Sequence, residues 1–251
     1  MSPAGATTQA SHQDMGSFQA AAGDFSDISQ FVVHRYIREI SDALYTRRNA
    51  YISFLMDRLK QDKRALGFTC MAGFPRVQHA VDCTHIALRA SYHQPGIFID
   101  LKGFHSLNIQ LVCDHRQPVM QVCAKYPGSS RDSFIVCQSS VLPLFQPGSQ
   151  VAGWLLGNNG CPFQIWCVTP VRNPGTAAEQ VYNESHAATR KVIEQIIGEL
   201  KQCFHCLDRS GGVLQCMSEQ VSRFVIICYV LHNCAIIRDQ PLPPPGQQEA
   251  Q

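Results

Sequence analysis

Between residues 26 and 66, apolar side chains return at close to a 3.6-residue period. Ile28, Phe31, Val32, Tyr36, Ile40, Ala43 and Leu44 make one stripe, and Tyr51, Phe54, Leu55 and Leu59 resume it after a basic break at Arg47-Arg48. That period predicts amphipathic helices, with Gly67 and the run Gly73-Phe74-Pro75 as stop signals. Past residue 75 the texture changes to short β-branched and apolar runs. Residues 80–90 read as a strand. Residues 104–113 and 118–125 flank the polar stretch Asp114-His115-Arg116-Gln117 and predict a β-hairpin. Pro127-Gly128-Ser129 is punctuation, after which Ser129 or Ser130 can cap a helix reaching to about Val141. Residues 151–157 predict another strand. A Pro-containing loop then leads to a long amphipathic helix over 177–204, and a last helix over 218–237 precedes a Pro-rich tail. Strand, hairpin, helix, strand and long helix, in that order, imply an α/β layer on a mixed sheet.

Composition narrows the class. The chain has 251 residues, 45% of them hydrophobic and 16% charged, enough to bury one large domain with a small helical appendage. A formal net charge of +2 means that any nucleic-acid-binding surface must be local. The start, MSPAGATTQASHQ, lacks the basic and apolar segments of a signal peptide. The longest apolar stretch, residues 224–231, is far short of a membrane span, so no membrane association is expected. Twelve cysteines therefore read as reduced core residues of an intracellular protein. Cys203 and Cys206 form one close pair, with His205, Cys216, His232 and Cys234 nearby; zinc wants two spaced pairs, so packing is the preferred reading. Residues 1–16, rich in Ala, Ser, Gln and Gly, are expected to be a disordered tail, as is the Pro-rich stretch 239–251.

Four polar residues stand at element ends within this apolar framework: Asp82 in the first strand, Asp132 opening the helix after the hairpin, Asn158 ending the later strand, and Glu194 on the long helix. Phosphodiester chemistry with divalent metals needs such a set, because hard cations take carboxylate oxygens and two ions can clamp the attacking and leaving oxygens. Each also has a plainer reading. Asp82 can end a strand, Asp132 can complement a helix dipole, and Glu194 follows Arg190 by four residues, the spacing of an ordinary ion pair. Spacing alone leaves both readings open.

Several strings carry a resemblance: VDCTHIALRA (81–90), LKGFHSLNIQLVCDHR (101–116), YPGSSRDSFIV (126–136), WLLGN (154–158), YNESHAATRKVIEQIIGELK (182–201) and VLHN (230–233). In this order they resemble the harbinger transposase-derived nucleases, domesticated relatives of PIF/Harbinger transposases with a DDE-type catalytic domain. The stretch GSFQAAAGDFSDISQ (16–30) resembles the later part of that family's helix-turn-helix region, whose upstream helices have no counterpart here. The resemblance implies an α/β fold with an RNase H-like mixed sheet flanked by helices and a small N-terminal helical segment. It divides the chain into a tail (1–16), a helix-turn-helix remnant (17–72), a nuclease domain (73–238) and a second tail (239–251). It also implies a divalent cation, Mg²⁺ or Mn²⁺, held by Asp82, Asp132, Asn158 and Glu194, with Asp82 and Glu194 catalytic. Thirty-five residues separate Asn158 from Glu194, the interval that the DDE class name records.

Asn158 departs from the family pattern, where this position is acidic. An amide can lend a metal its carbonyl oxygen but supplies no negative charge, so metal affinity and turnover should fall by two or three decades or vanish. Cys203 stands where the family has arginine, and His205 follows at another basic position, which weakens phosphate contacts or is neutral packing. His85 lies three residues after Asp82, on the opposite strand face, and reads as structural. Lys102 and His105 fit backbone contacts to nucleic acid or a structural hairpin equally well. The expected function is a divalent-metal-dependent nuclease acting on DNA without transposase activity. The alternative is a catalytically inactive DNA- or protein-binding module. Either would work with a Myb/SANT-type DNA-binding partner in the nucleus and cytoplasm.

Overall fold

The structure, a computed structural model, describes residues 29–54, 57–89, 95–146, 148–149, 151–209, 213–214 and 216–240. The first expected tail, the second from residue 241 onward, and the GSFQAAAGDFSDISQ stretch apart from its last two residues lie outside the described residues. The expected N-terminal helices are present as α1 (Gln30–Thr46), α2 (Arg48–Tyr51) and α3 (Arg58–Ala72). Ser29 caps α1 by accepting from the Val32 amide, and Asp57 caps α3 by accepting from Leu59. The apolar stripe of α1 predicted the helix but not its burial. Phe31, Tyr36 and Ile40 stay exposed while Val33 is buried, because the main neighbours of α1 are the single long helix Ser218–Ile237 and the short α2.

Gly73 ends α3 as expected, in a left-handed conformation (φ 71°) that suits a residue without a Cβ. Gly67 does not stop the helix; it lies inside α3. A Cβ there would come within 2.2 Å of the His115 ring, so this glycine admits the hairpin turn against the helix.

Five strands follow: β1 (Val77–Ala87), β2 (Ser106–Cys113), β3 (Val119–Pro127), β4 (Trp154–Leu156) and β5 (Cys167–Val168). Their order is β3-β2-β1-β4-β5, with β2 antiparallel to β3 and β1, and β4 parallel to β1 and β5. This mixed five-stranded sheet with flanking helices is consistent with the RNase H-like architecture. β1 begins earlier than expected because Val77, Gln78 and His79 are buried beside β4, and β5 has too few residues to show a period. Every residue of β2 is buried, as a central strand covered on both faces requires.

The helix after the hairpin, α4 (Asp132–Cys137), stops short of Val141 and is followed by a second short helix, α5 (Leu142–Phe145). Its N-cap position is Arg131 rather than Ser129 or Ser130 and makes no side-chain cap. α6 (Ala177–Cys203) opens with a capping box between Thr176 and Glu179. α7 (Ser218–Ile237) has the length and hydropathy of a membrane span, yet half of that stretch is buried against β3, α1, α2 and α6.

Two cores sandwich the sheet. On one face Phe68, Leu111, Ile193, Ile196, Val225 and Tyr229 join α3, α6 and α7 to it. On the other, Val81, Val112, Val136, Phe145, Leu155 and Trp166 seat α4 and α5. Burying Ile193 and Ile196 completely is worth about 1.5–3 kcal/mol each, which fixes the backbone of α6 and hence the residues on its next stripe, Arg190 and Glu194. In the VLHN stretch, Asn233 imitates a neighbouring strand. Its amide donates to the carbonyls of Val119 and Tyr51, and its oxygen accepts from the Val119 amide.

Candidate active site

Parallel pairing of β1 with β4 matches Ala80 to Leu156. Two residues further along each chain stand Asp82 and Asn158, side by side at the point where β4 has ended. The Asn158 amide nitrogen donates to Asp82 Oδ1 at 2.8 Å. The same oxygen accepts from the Cys83 backbone at 2.9 Å, while Asp82 Oδ2 accepts from Arg190 Nη2 at 2.5 Å. Arg190 Nη2 also lies 3.3 Å from Glu194 Oε1. One guanidinium nitrogen thus joins carboxylates from β1 and α6, with Asn158 closing the other side.

The orientation of the Asn158 amide follows from its turn. Its side-chain oxygen accepts from the Gly160 amide at 2.7 Å, and its backbone carbonyl accepts from Cys161. With the oxygen committed locally, the NH₂ group is what faces Asp82. Gly160 fills the gap to Asp132, since a Cβ there would lie 2.9 Å from Asp132 Oδ2 and 3.0 Å from Asn158 Oδ1. Asp132 Oδ1 accepts from Asn108 at 2.9 Å, and Asn108 also donates to the Ser130 carbonyl. The carboxylate neighbours Cys83, and burial, with Asp132 next, pushes that thiol far up.

Asp82, Asn158 and Glu194 therefore share one network, by hydrogen bonds at Asp82 and an ion pair at Glu194, and Asp132 adjoins it through the Gly160 turn. Sequence reasoning gave Arg190 only as the partner of Glu194, and it missed Asn108. Asp82 and Ser130 lie 108 and 22 residues from them, so no local spacing signalled these roles. His85 accepts or donates to Ser106 Oγ at 2.9 Å, beside Asp100, as a structural histidine would. Lys102 is exposed and His105 half-buried.

Burial raises the Asp82 carboxyl above the ordinary carboxylate range, with Arg190 and the Cys83 amide opposing it. Burial also lowers His186, on the preceding turn of α6, to about 4. Three carboxylates of this kind are suitable hard donors for Mg²⁺ or Mn²⁺. Asn158, as held, is not, because it presents N–H rather than oxygen to Asp82. The positive charge between Asp82 and Glu194 belongs to Arg190, and among the described residues no group of three or more His, Cys, Asp or Glu side chains is arranged to hold a metal ion.

Residues 81–233 match the family described as DDE superfamily endonuclease. The chain is 38% identical over 221 residues to the protein named "Putative nuclease HARBI1" of Bos taurus, covering 88% of this chain and 63% of that protein. The Mus musculus protein of the same name is 36% identical over 238 residues, covering 93% and 68%. The Arabidopsis thaliana protein named "Protein ALP1-like" is 24% identical over 205 residues, covering 73% and 50%. The chain thus spans just under two thirds of the bovine relative's length. No solved structure matches it.

Proposed function

The chain belongs to the DDE superfamily of endonucleases, and from that membership we propose that it is a transposase-derived, divalent-metal-dependent nuclease of DNA, weakened by Asn158. The observation that carries this reading is the convergence of Asp82 and Glu194 on one nitrogen of Arg190. A Mg²⁺ or Mn²⁺ ion held by Asp82, Asp132 and Glu194 would supply Lewis-acid activation of water and stabilisation of phosphate charge. The chain's own residues set how well such a site works. Asp82 and Glu194 provide the negative charge, Asn108 orients Asp132, and Arg190 provides a cation able to pair with phosphate. Asn158 contributes a donor where an anion would attract a cation. A loss of two to three decades in turnover is about 3–4 kcal/mol of barrier.

The second reading is a catalytically inactive DNA- or protein-binding module. The Asn158 amide, which donates to Asp82 Oδ1 where an acidic residue would hold a cation, favours it. A Myb/SANT-type DNA-binding partner, in the nucleus and cytoplasm, is part of both proposals. Nicking of supercoiled plasmid by purified protein in Mg²⁺ and in Mn²⁺ separates them. A nuclease nicks above the level of Glu194→Ala; a binding module retains DNA but matches that background.

A further inference from the structure

Arg190 is an unusual neighbour for two carboxylates assigned to a metal. Its side chain is only 15% exposed, and Nη2 alone reaches both Asp82 and Glu194. Its Nε, though buried, has no hydrogen-bond partner among the described residues. A guanidinium has five N–H donors in a rigid fork, and it reaches full strength against a partner that accepts two of them together. Here the charge is engaged while a buried donor is left over, so the residue is seated incompletely. The backbone beneath it is held by Val192, Ile193 and Ile196, so the adjustable part is the side chain itself. Glu194, whose side chain is 53% exposed, marks the way out to solvent.

From this geometry we infer that Arg190 is a built-in counter-ion that keeps Asp82 and Glu194 from a divalent cation until a DNA phosphate draws it away, so that DNA and metal ion bind with positive coupling. The inference rests on the metal-dependent reading above. Two like charges compete for one pair of carboxylates, and removing one strengthens binding of the other. A phosphodiester offers the paired acceptor oxygens that Asp82 and Glu194 do not present to Nε. Transfer of the guanidinium to phosphate then frees the carboxylates, and by linkage the metal ion favours DNA by the same factor.

The test is Mn²⁺ binding by titration calorimetry on the purified full chain, its Arg190→Gln and Arg190→Lys variants, and wild type bearing a cleavage-resistant phosphorothioate duplex, corrected for Mn²⁺ taken up by the duplex alone. Arg190→Gln should bind Mn²⁺ about tenfold or more tightly than wild type, and Arg190→Lys should stay close to wild type because the charge remains. The duplex should tighten Mn²⁺ binding to wild type by about fivefold or more, within the usual range of allosteric coupling, and leave Arg190→Gln nearly unchanged. Wild-type binding that is matched or exceeded in weakness by Arg190→Gln overturns the counter-ion role and leaves the metal reading intact. Absence of Mn²⁺ binding in wild type and in Arg190→Gln, with and without duplex, removes the metal reading and this inference together. Should Arg190→Gln fail to fold, the coupling measured on wild type decides alone: no gain in Mn²⁺ affinity with duplex refutes it.

Discussion

Replacing Asn158 with aspartate changes one atom pair in a way that can be worked out. The NH₂ group that donates to Asp82 Oδ1 at 2.8 Å becomes an oxygen, and a hydrogen bond becomes a contact between two carboxylates. At an effective dielectric constant near 20, two unit charges that close repel by ~6 kcal/mol. Arg190, small side-chain shifts and uptake of a proton relieve part of this, leaving a net cost of about 2–3 kcal/mol. For a domain of this size that lowers the midpoint of thermal unfolding by roughly 4–12 °C. The pair has one carboxyl whose folded pKa is raised above its unfolded value. Its contribution is fully present below the ordinary carboxylate pKa of about 4 and is lost as pH rises through the raised value. Asn158→Asp should therefore melt close to wild type at acidic pH and well below it at neutral pH in EDTA. Saturating Mn²⁺ should restore much of the deficit at neutral pH. Equal melting of the two proteins at neutral pH in EDTA would refute the reasoning, because it would mean that residue 158 does not face Asp82.

Three further outcomes follow from the packing. Gly67→Ala should destabilise by about 1–3 kcal/mol through the clash with His115, although alanine ordinarily gains about 1 kcal/mol in a helix; a higher midpoint in urea unfolding would contradict it. Asn233→Ala should cost about 2–4 kcal/mol, since it strands the buried backbone groups of Val119 and the half-buried carbonyl of Tyr51; a loss under about 1 kcal/mol in the same experiment would show that those groups find other partners. Burial lowers His79 to about 3 and His186 to about 4, so their contribution is present above the ordinary value of 6.5 and lost as pH falls toward those values. Wild type should lose stability over that acid range. His79→Phe, filling the space between Phe54 and Phe145, should flatten the loss, and an unchanged pH profile would acquit His79.

The long elements were legible because their signals are local. Thr176 and Glu179 announce the start of α6 three residues apart, and the polar stretch from Asp114 to Gln117 marks the hairpin turn. Gly67 misled because its reason lies 48 residues away in His115, which no helix rule can see. The stripe on α1 followed helical period faithfully, but period says only which residues share a face, and this face has few neighbours. At the site, the resemblance supplied Asp82, Asn158 and Glu194. What they do to one another depended on the register of β1 against β4 and on the reach of Arg190 across from α6. Neither is written in spacing. An asparagine at position 158 read from sequence as a poorer ligand; in the fold it is a hydrogen-bond donor to the residue it was expected to assist.

The proposed function makes the amide at position 158 the brake on an otherwise competent nuclease fold. Its most direct test is the rate of plasmid nicking by Asn158→Asp in Mn²⁺, measured beside wild type and Asn158→Asp/Glu194→Ala. Asn158→Asp should nick about a hundredfold or more faster than wild type, a barrier lower by about 3 kcal/mol or more, and the added Glu194→Ala change should abolish the gain. A folded Asn158→Asp protein that binds Mn²⁺ and DNA yet nicks no faster than wild type would contradict it.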